Sequence, residues 1–204
     1  MSEYNPSKMI EIRPSLVCDG IGVFAKTDIP SKTIITKYGC VEIFDEKEDN
    51  QGINDYDIIL KDRNNQQLLF RGDKEARDID RCGQLINDSC NIKTPTLRAV
   101  LNYEKQSGNK ANVEYVLLEE YDSRVYIVSN RLIKEGEELY CKYSFPYWLN
   151  KLGVKNDTIV KLLTQSVPMY VDLINRFSPK LSDRKIENLF IRKFQKLNID
   201  FPIE

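Results

Sequence analysis

Three short stretches, far apart and in a fixed order, hold the residues that could do chemistry in this chain. They are Asp19-Gly20-Ile21-Gly22-Val23-Phe24-Ala25, then Gln84-Leu85-Ile86-Asn87-Asp88-Ser89-Cys90, then Gly136-Glu137-Glu138-Leu139-Tyr140-Cys141-Lys142-Tyr143. Taken singly, each stretch has a plain structural reading: a turn, a capping loop, and a hairpin entering a strand. What the chain lacks narrows the chemistry further. It contains no histidine, so Ser-His-Asp and Cys-His nucleophile pairs, His-bearing zinc sites and His general bases are all excluded. Chemistry must run on Tyr, Lys, carboxylates or backbone groups.

The five cysteines, Cys18, Cys40, Cys82, Cys90 and Cys141, show no C-x-x-C or C-x-C pairing. A structural zinc built from this chain alone is therefore not expected. Their odd number argues against a disulfide framework and for a reducing compartment. With 204 residues and 41% hydrophobic content, the chain can bury one core with a small appendage. A formal net charge of -1 creates no field favouring nucleic acid or an anionic membrane. No apolar run of about 18 residues and no signal peptide is present. The expectation is a soluble intracellular protein, in nucleus or cytoplasm, with no direct nucleic-acid or membrane partner; oligomeric state is open.

The elements that must position these residues read as mainly β in the first half. Met9 to Ile12, Gly22 to Ala25 and Thr33 to Tyr38 are β-branched or alternating runs punctuated by Pro and Gly. Asp28 to Lys32 is a turn around Pro30. Phe44 to Asn54 is acidic and Asn-bearing and reads as a solvated loop. Tyr56 to Lys61 and Gln67 to Arg71 pair around a hairpin tip at Arg63-Asn64-Asn65. Val113 to Leu118 and Arg124 to Ser129 form a second such pair around Glu119 to Ser123. Between the pairs, Thr94 to Gly108 has a helical pattern, with Pro95 to open it and Gly108 to end it. Beyond Trp148 the character turns helical. Ile159, Leu162 and Leu163 share a face before Pro168 interrupts, and Tyr170, Leu173, Ile174 and Phe177 follow. A last helix starts at Ser182, with a stripe of Ile186, Leu189, Phe190, Phe194 and Leu197 and a basic opposite face, read as packing on the β domain or else as a partner or nucleosome contact.

The joint order and spacing of the three stretches resembles the SET-domain protein lysine methyltransferases, whose patterns read roughly G-x-G, then N-H-S-C, then G-E-E-L-x-[FY]-D-Y. The resemblance runs from about Met9 to about Trp148. It implies a β-rich α+β SET fold: short curved sheets with a pseudoknot-like crossing, plus C-terminal helices. The implied domains are a SET domain over 8–148, with an insertion at about 92–110, and a helical extension over 149–204. The insertion would either sit near the substrate groove or, the preferred expectation, be a neutral surface excursion.

The implied activity is methyl transfer from S-adenosylmethionine to a protein lysine, a histone being one candidate, with no metal. Gly20, Ile21 and Gly22 match the family's first cofactor motif. Asn87 and Asp88 match the second, with Asn87 as a buried polar fastener and Asp88 where the family usually has His. Tyr143 falls on the catalytic tyrosine and adjoins the cofactor. Tyr38, in Ile35-Thr36-Lys37-Tyr38-Gly39-Cys40, is the second catalytic candidate, with either Gly39 or Cys40 on the family's glycine. Tyr115 and Cys141 would line the substrate channel, and the small Cys141 leaves room for more than one methyl addition. Trp148 would cover the cofactor. Lys142 stands where the family has Asp. A different reading is a SET-shaped interaction module without activity, which Asp88, Cys40, Cys141 and Lys142 favour. The acidic stretches Asp45 to Asp49 and Glu119 to Asp122 are either solvated loops or contacts for a basic peptide.

Overall fold

A computed structural model describes residues 5–45, 55–73, 75, 77–118, 124–154, 156–177, 180–197 and 201–203, without side chains for 41–45. A helical turn α1 (Pro6–Met9) leads into β1 (Ile10–Pro14), β2 (Ile21–Ala25), β3 (Ile34–Lys37), β4 (Cys40–Asp45), β5 (Asp57–Lys61) and β6 (Gln67–Gly72). Two 3-10 turns, Ile79–Arg81 and Gly83–Leu85, precede β7 (Asn87–Asp88). Then come α2 (Leu97–Lys110), β8 (Val113–Leu118), β9 (Arg124–Ser129), β10 (Tyr140–Cys141), α3 (Phe145–Lys151), α4 (Asp157–Phe177) and α5 (Asp183–Gln195). The strands make four small sheets, ordered β1-β2, β3-β9-β8, β4-β6-β5 and β7-β10. Both expected hairpins are present, β5 with β6 and β8 with β9, all antiparallel. Along β9 the buried Val125, Ile127 and Ser129 alternate with more exposed neighbours, the period of two that made the strand readable. No helix among the described residues is long and apolar enough to cross a membrane. Of the segment expected as a loop from Phe44 to Asn54, residues 44 and 45 instead end β4, and 46–54, like the turn at 119–123, lie outside the described residues.

The chain packs into two compact units that interleave in sequence, Met1–Asn87 with Ala111–Cys141, and Asp88–Lys110 with Lys142–Glu204. In the first, Val23, Phe24, Ala25, Ile29, Ile127, Ile133 and Leu139 are buried. Backbone bonds Leu139 N to Val23 O (2.7 Å) and Ala25 N to Glu137 O (2.9 Å) lay the third motif along β2. A satellite cluster of Tyr38, Phe70 and Val125 packs with Ile58, Leu60, Leu68, Tyr115 and Leu117. At the β5–β6 tip, Asn65 takes a left-handed φ of 64°, which Asn tolerates better than most residues.

The second unit is helical. Leu97, Val100, Leu101 and Tyr103 of α2 pack with Leu149, Leu163, Val167, Tyr170, Ile186, Phe190 and Phe194. The 92–110 segment is thus no surface excursion: α2 supplies part of this core. Thr96 caps it, its Oγ1 accepting from Ala99 N at 3.2 Å. The next unsatisfied donors, Leu97 N and Arg98 N, are taken by the carbonyls of Pro202 (2.8 Å) and Ile203 (3.1 Å), because the first N–H groups of a helix need partners from outside it. Gly108 does not end α2, which continues to Lys110. The left-handed glycines are Gly136 and Gly153, not Gly108, so it is no terminating cap.

Pro168 does not interrupt α4 either. A proline inside a helix costs about 3 kcal/mol, but Leu163, Val167 and Tyr170 are buried on the same helix, each stabilising by roughly 1.5–3 kcal/mol. Packing outweighs the break. The α5 stripe also needs correction: Ile186, Phe190 and Phe194 are buried, joined by Ile191, while Leu189 and Leu197 are 57% and 55% exposed.

Candidate active site

In the first unit the first motif lies on β2. Gly20 is exposed, Ile21 half-buried and Gly22 buried. The Ile21 carbonyl accepts from Asn87 Nδ2 at 2.9 Å. A Cβ on Gly22 would sit 2.2 Å from Glu138 Oε1, so the glycine is required by the carboxylate beside it. Glu138 is only 2% exposed. Its oxygens accept from Ser15 Oγ (2.7 Å), Leu16 N (2.8 Å), Tyr140 Oη (3.0 Å) and Asn87 Nδ2 (3.2 Å). All four are neutral donors. Burial and the Glu138 carboxylate push the Tyr140 phenol up, so it keeps its proton and donates. Asn87 is half-buried rather than buried, yet its amide does fasten two segments, Ile21 and Glu138. Asn112 makes a comparable clamp, donating from Nδ2 to Glu138 O (2.9 Å) and accepting from Tyr140 N at Oδ1 (2.7 Å).

The same unit holds a second group. Tyr38 Oη donates to the Tyr56 carbonyl. Its ring meets Tyr115 edge-on, with centroids 5.7 Å apart. Tyr115 Oη lies 3.0 Å from Cys141 Sγ, and Cys141 is 1% exposed. Burial above all, with the neighbouring Cys141 and Asp57, pushes the Tyr38 phenol well up. Between Gly39 and Cys40, space is restricted at Gly39. A Cβ there would meet Arg81 O and Gln84 Oε1, both at 2.6 Å, and Gly39 N donates to Gln84 Oε1 at 3.0 Å. Gly39 is the position that cannot carry a side chain.

The second unit gathers Asp88, Tyr143 and Trp148. Asp88 is 7% exposed. Its Oδ1 accepts from Ser107 Oγ (2.9 Å) and Cys90 N (3.1 Å). Its Oδ2 accepts from Tyr143 N (3.0 Å), Trp148 Nε1 (3.2 Å) and Tyr103 Oη. Burial, then the Asp88 carboxylate, pushes the Tyr103 phenol up. Tyr143 and Trp148 lie nearly parallel, 17° apart with centroids at 6.0 Å, and Tyr147 stands edge-on to both at 5.0 Å. Lys142 pairs with Glu104 of α2, which gives a physical account of a lysine at that position.

A model of the SET domain matches residues 20–144, well over half of the chain. The chain belongs to the SET-domain family. Its β-rich α+β architecture of small antiparallel sheets with C-terminal helices is the SET fold. Among solved structures, this SET chain is similar to the methyltransferase domain of human PR domain-containing protein 2, at 17% identity over 69% of this chain and 84% of that one, TM-score 0.41. It is also similar to CpSET8 from Cryptosporidium, at 20% identity over 66% and 56%, TM-score 0.46. A third is the ATXR5 SET domain in complex with histone H3 di-methylated on R26, at 21% identity over 68% and 60%, TM-score 0.44. No curated protein matches at a significant level.

Within this SET chain, the expected site residues fall into three groups. Ile21, Gly22 and Asn87 come together, Tyr38 joins Tyr115 and Cys141, and Asp88 joins Tyr143 and Trp148. Gly20 stands exposed beside the first group. Sequence reasoning assigned no role to Glu138, Ser15, Tyr103 or Ser107. Glu138 had a signal, a second acid inside the third motif. Tyr103 and Ser107 had a weaker one, their i, i+4 spacing on one helix face.

Proposed function

We propose that this SET chain is an S-adenosylmethionine-dependent protein-lysine N-methyltransferase. The observation that carries the reading is Tyr143. The tyrosine closing the third motif is retained, its backbone N–H is fixed on Asp88 and its ring is flanked by Tyr147 and Trp148. The residues present suit the cofactor. Glu138 is a buried carboxylate bonded by neutral donors, so a cationic ligand group would be favoured near it. A Cβ on Gly20 would meet only Cys18 Sγ, at 3.3 Å, which leaves its backbone open to close approach. In the second unit, Trp148 offers a flat apolar face suited to an adenine ring. The cofactor, when bound, supplies a methyl group already activated on a sulfonium.

The chain's own residues then have to orient an amine and exclude water. Tyr38 holds its proton and donates it to Tyr56 O, so its remaining lone pairs face any donor brought to it. It acts as an acceptor for the lysine amine, not as a base. Cys141 is small where a larger aromatic would limit the product, and more than one methyl addition follows from that. The substrate is a protein lysine, with a histone as one candidate, inside the cell.

The catalytically silent interaction module is the second reading, favoured by Asp88 at the histidine position. One experiment separates them. Wild type and Tyr143→Phe are incubated with labelled cofactor, core histones and lysate proteins. Label on lysine that disappears in the variant supports the enzyme. Cofactor binding without label on any protein supports the module.

A further inference from the structure

Two departures from the family's motif pattern, Asp88 for His and Lys142 for Asp, are met by side chains of one helix. Asp88 accepts from Tyr103 and Ser107, and Lys142 pairs with Glu104, all on α2. Tyr103 also works in the other direction: its Oη accepts from Ser144 N at 2.9 Å. The two consecutive N–H groups of Tyr143 and Ser144 are thus held by Asp88 and Tyr103 respectively.

The backbone they hold is strained. Ser144 has φ 80° and ψ 152°, a region that only glycine occupies at ease. A side chain persists there only where the surroundings over-determine the turn. Asp88 and Tyr103 provide that constraint, and Trp148 Nε1 is drawn to the same carboxylate oxygen.

We infer that Asp88 and α2 form a positioning device for Tyr143: the carboxylate and the Tyr103 hydroxyl clamp the strained Tyr143–Ser144 turn and the Trp148 indole, and so aim the Tyr143 ring. The inference deepens, and rests on, the methyltransferase reading, but the clamp itself can be read without catalysis. Asp88 and Tyr103 are positioning residues, and the 92–110 insertion is part of the working apparatus of the site.

The test uses the full chain carrying Tyr103→Phe, which keeps the buried ring and removes only the hydroxyl. Released strain should lower kcat roughly tenfold, and freeing the Trp148 indole should raise the KM for cofactor, while KM for the protein substrate stays unchanged. Adding Ser144→Gly should restore much of the lost turnover, because glycine adopts the turn without the clamp. Trp148 is the chain's single tryptophan, so its emission reports the clamp directly and should shift, with increased quenching by acrylamide. If Tyr103→Phe does not fold, Ser107→Ala, which removes one hydroxyl from the same carboxylate, carries both readouts.

A folded variant with wild-type Trp148 emission overturns the clamp. So does shifted emission with unchanged kcat in an active enzyme, or a loss of turnover that Ser144→Gly does not relieve. If the wild type transfers no methyl group while the Trp148 shift is present, the clamp stands and the methyltransferase reading falls.

Discussion

Gly22 and Glu138 occupy adjoining space: a β-carbon on the glycine would lie 2.2 Å from the carboxylate Oε1 and 2.9 Å from its Cδ. The first motif of the SET chain is therefore glycine because of an acid in the third. Glu138 cannot retreat without giving up bonds to Ser15, Leu16, Asn87 and Tyr140.

Gly22→Ala should accordingly destabilise the fold by roughly 2–4 kcal/mol, from overpacking together with stranded buried donors. Thermal denaturation followed by circular dichroism measures this. An unchanged midpoint would mean that Glu138 is not held as described.

Asn87→Ala removes the amide that ties Ile21 O to Glu138. The expected outcome is cofactor affinity weakened at least tenfold by calorimetry, with a smaller loss of stability, about 1–3 kcal/mol for the unpaired groups. Full affinity in a folded Asn87→Ala protein would remove the second motif from the cofactor site.

Tyr143→Phe should lower turnover by about a hundred- to a thousandfold, the roughly 2.7–4 kcal/mol typical of one oriented group lost from a closed site. Cofactor affinity and melting temperature should stay near wild type, since the ring remains and the hydroxyl acts mainly in the transition state. Single-turnover kinetics with labelled cofactor decide the point, and full activity would show that the third motif's tyrosine is not catalytic.

Stability should fall in alkali. Burial pushes the Tyr170 phenol from its ordinary 10.0 to about 12 and the Cys82 thiol from 9.0 to about 11. A raised folded-state pKa contributes stability that is fully present below the unfolded value and lost as pH rises through the folded one. For Tyr170 that window runs from about 10 to about 12. Urea midpoints at neutral pH and at pH values inside that window should therefore diverge, and Tyr170→Phe should narrow the gap. An equal loss in wild type and variant would assign the alkaline sensitivity elsewhere.

The parts of this fold legible in the sequence are those decided locally. The β8–β9 hairpin follows from alternation, and α5 begins directly after Ser182, although that side chain makes no capping bond. What misled were signals overruled by packing. Pro168 marks a helix break in isolation, but Val167 and Tyr170 are buried on either side of it. Leu189 fits a helical stripe, yet the buried arc turns toward Ile191 instead. The three motifs were readable because their order is fixed. The reasons for their composition were not, because the partner of Gly22 lies in the third motif and the donors to Asp88 come from Tyr103, Ser107 and Trp148.

The bonds from Leu97 N and Arg98 N to the carbonyls of Pro202 and Ile203 bear on how the chain is made. Translation delivers α2 long before the residues that tie off its first turn. Until α4 and α5 follow, the apolar side of Leu97, Val100 and Leu101 is uncovered. Vectorial synthesis therefore leaves this helix as the nascent polypeptide's sticky intermediate surface. A pause in synthesis before α4 emerges would expose it to chaperones, and the first N–H groups of α2 would stay open until residues 202 and 203 were made.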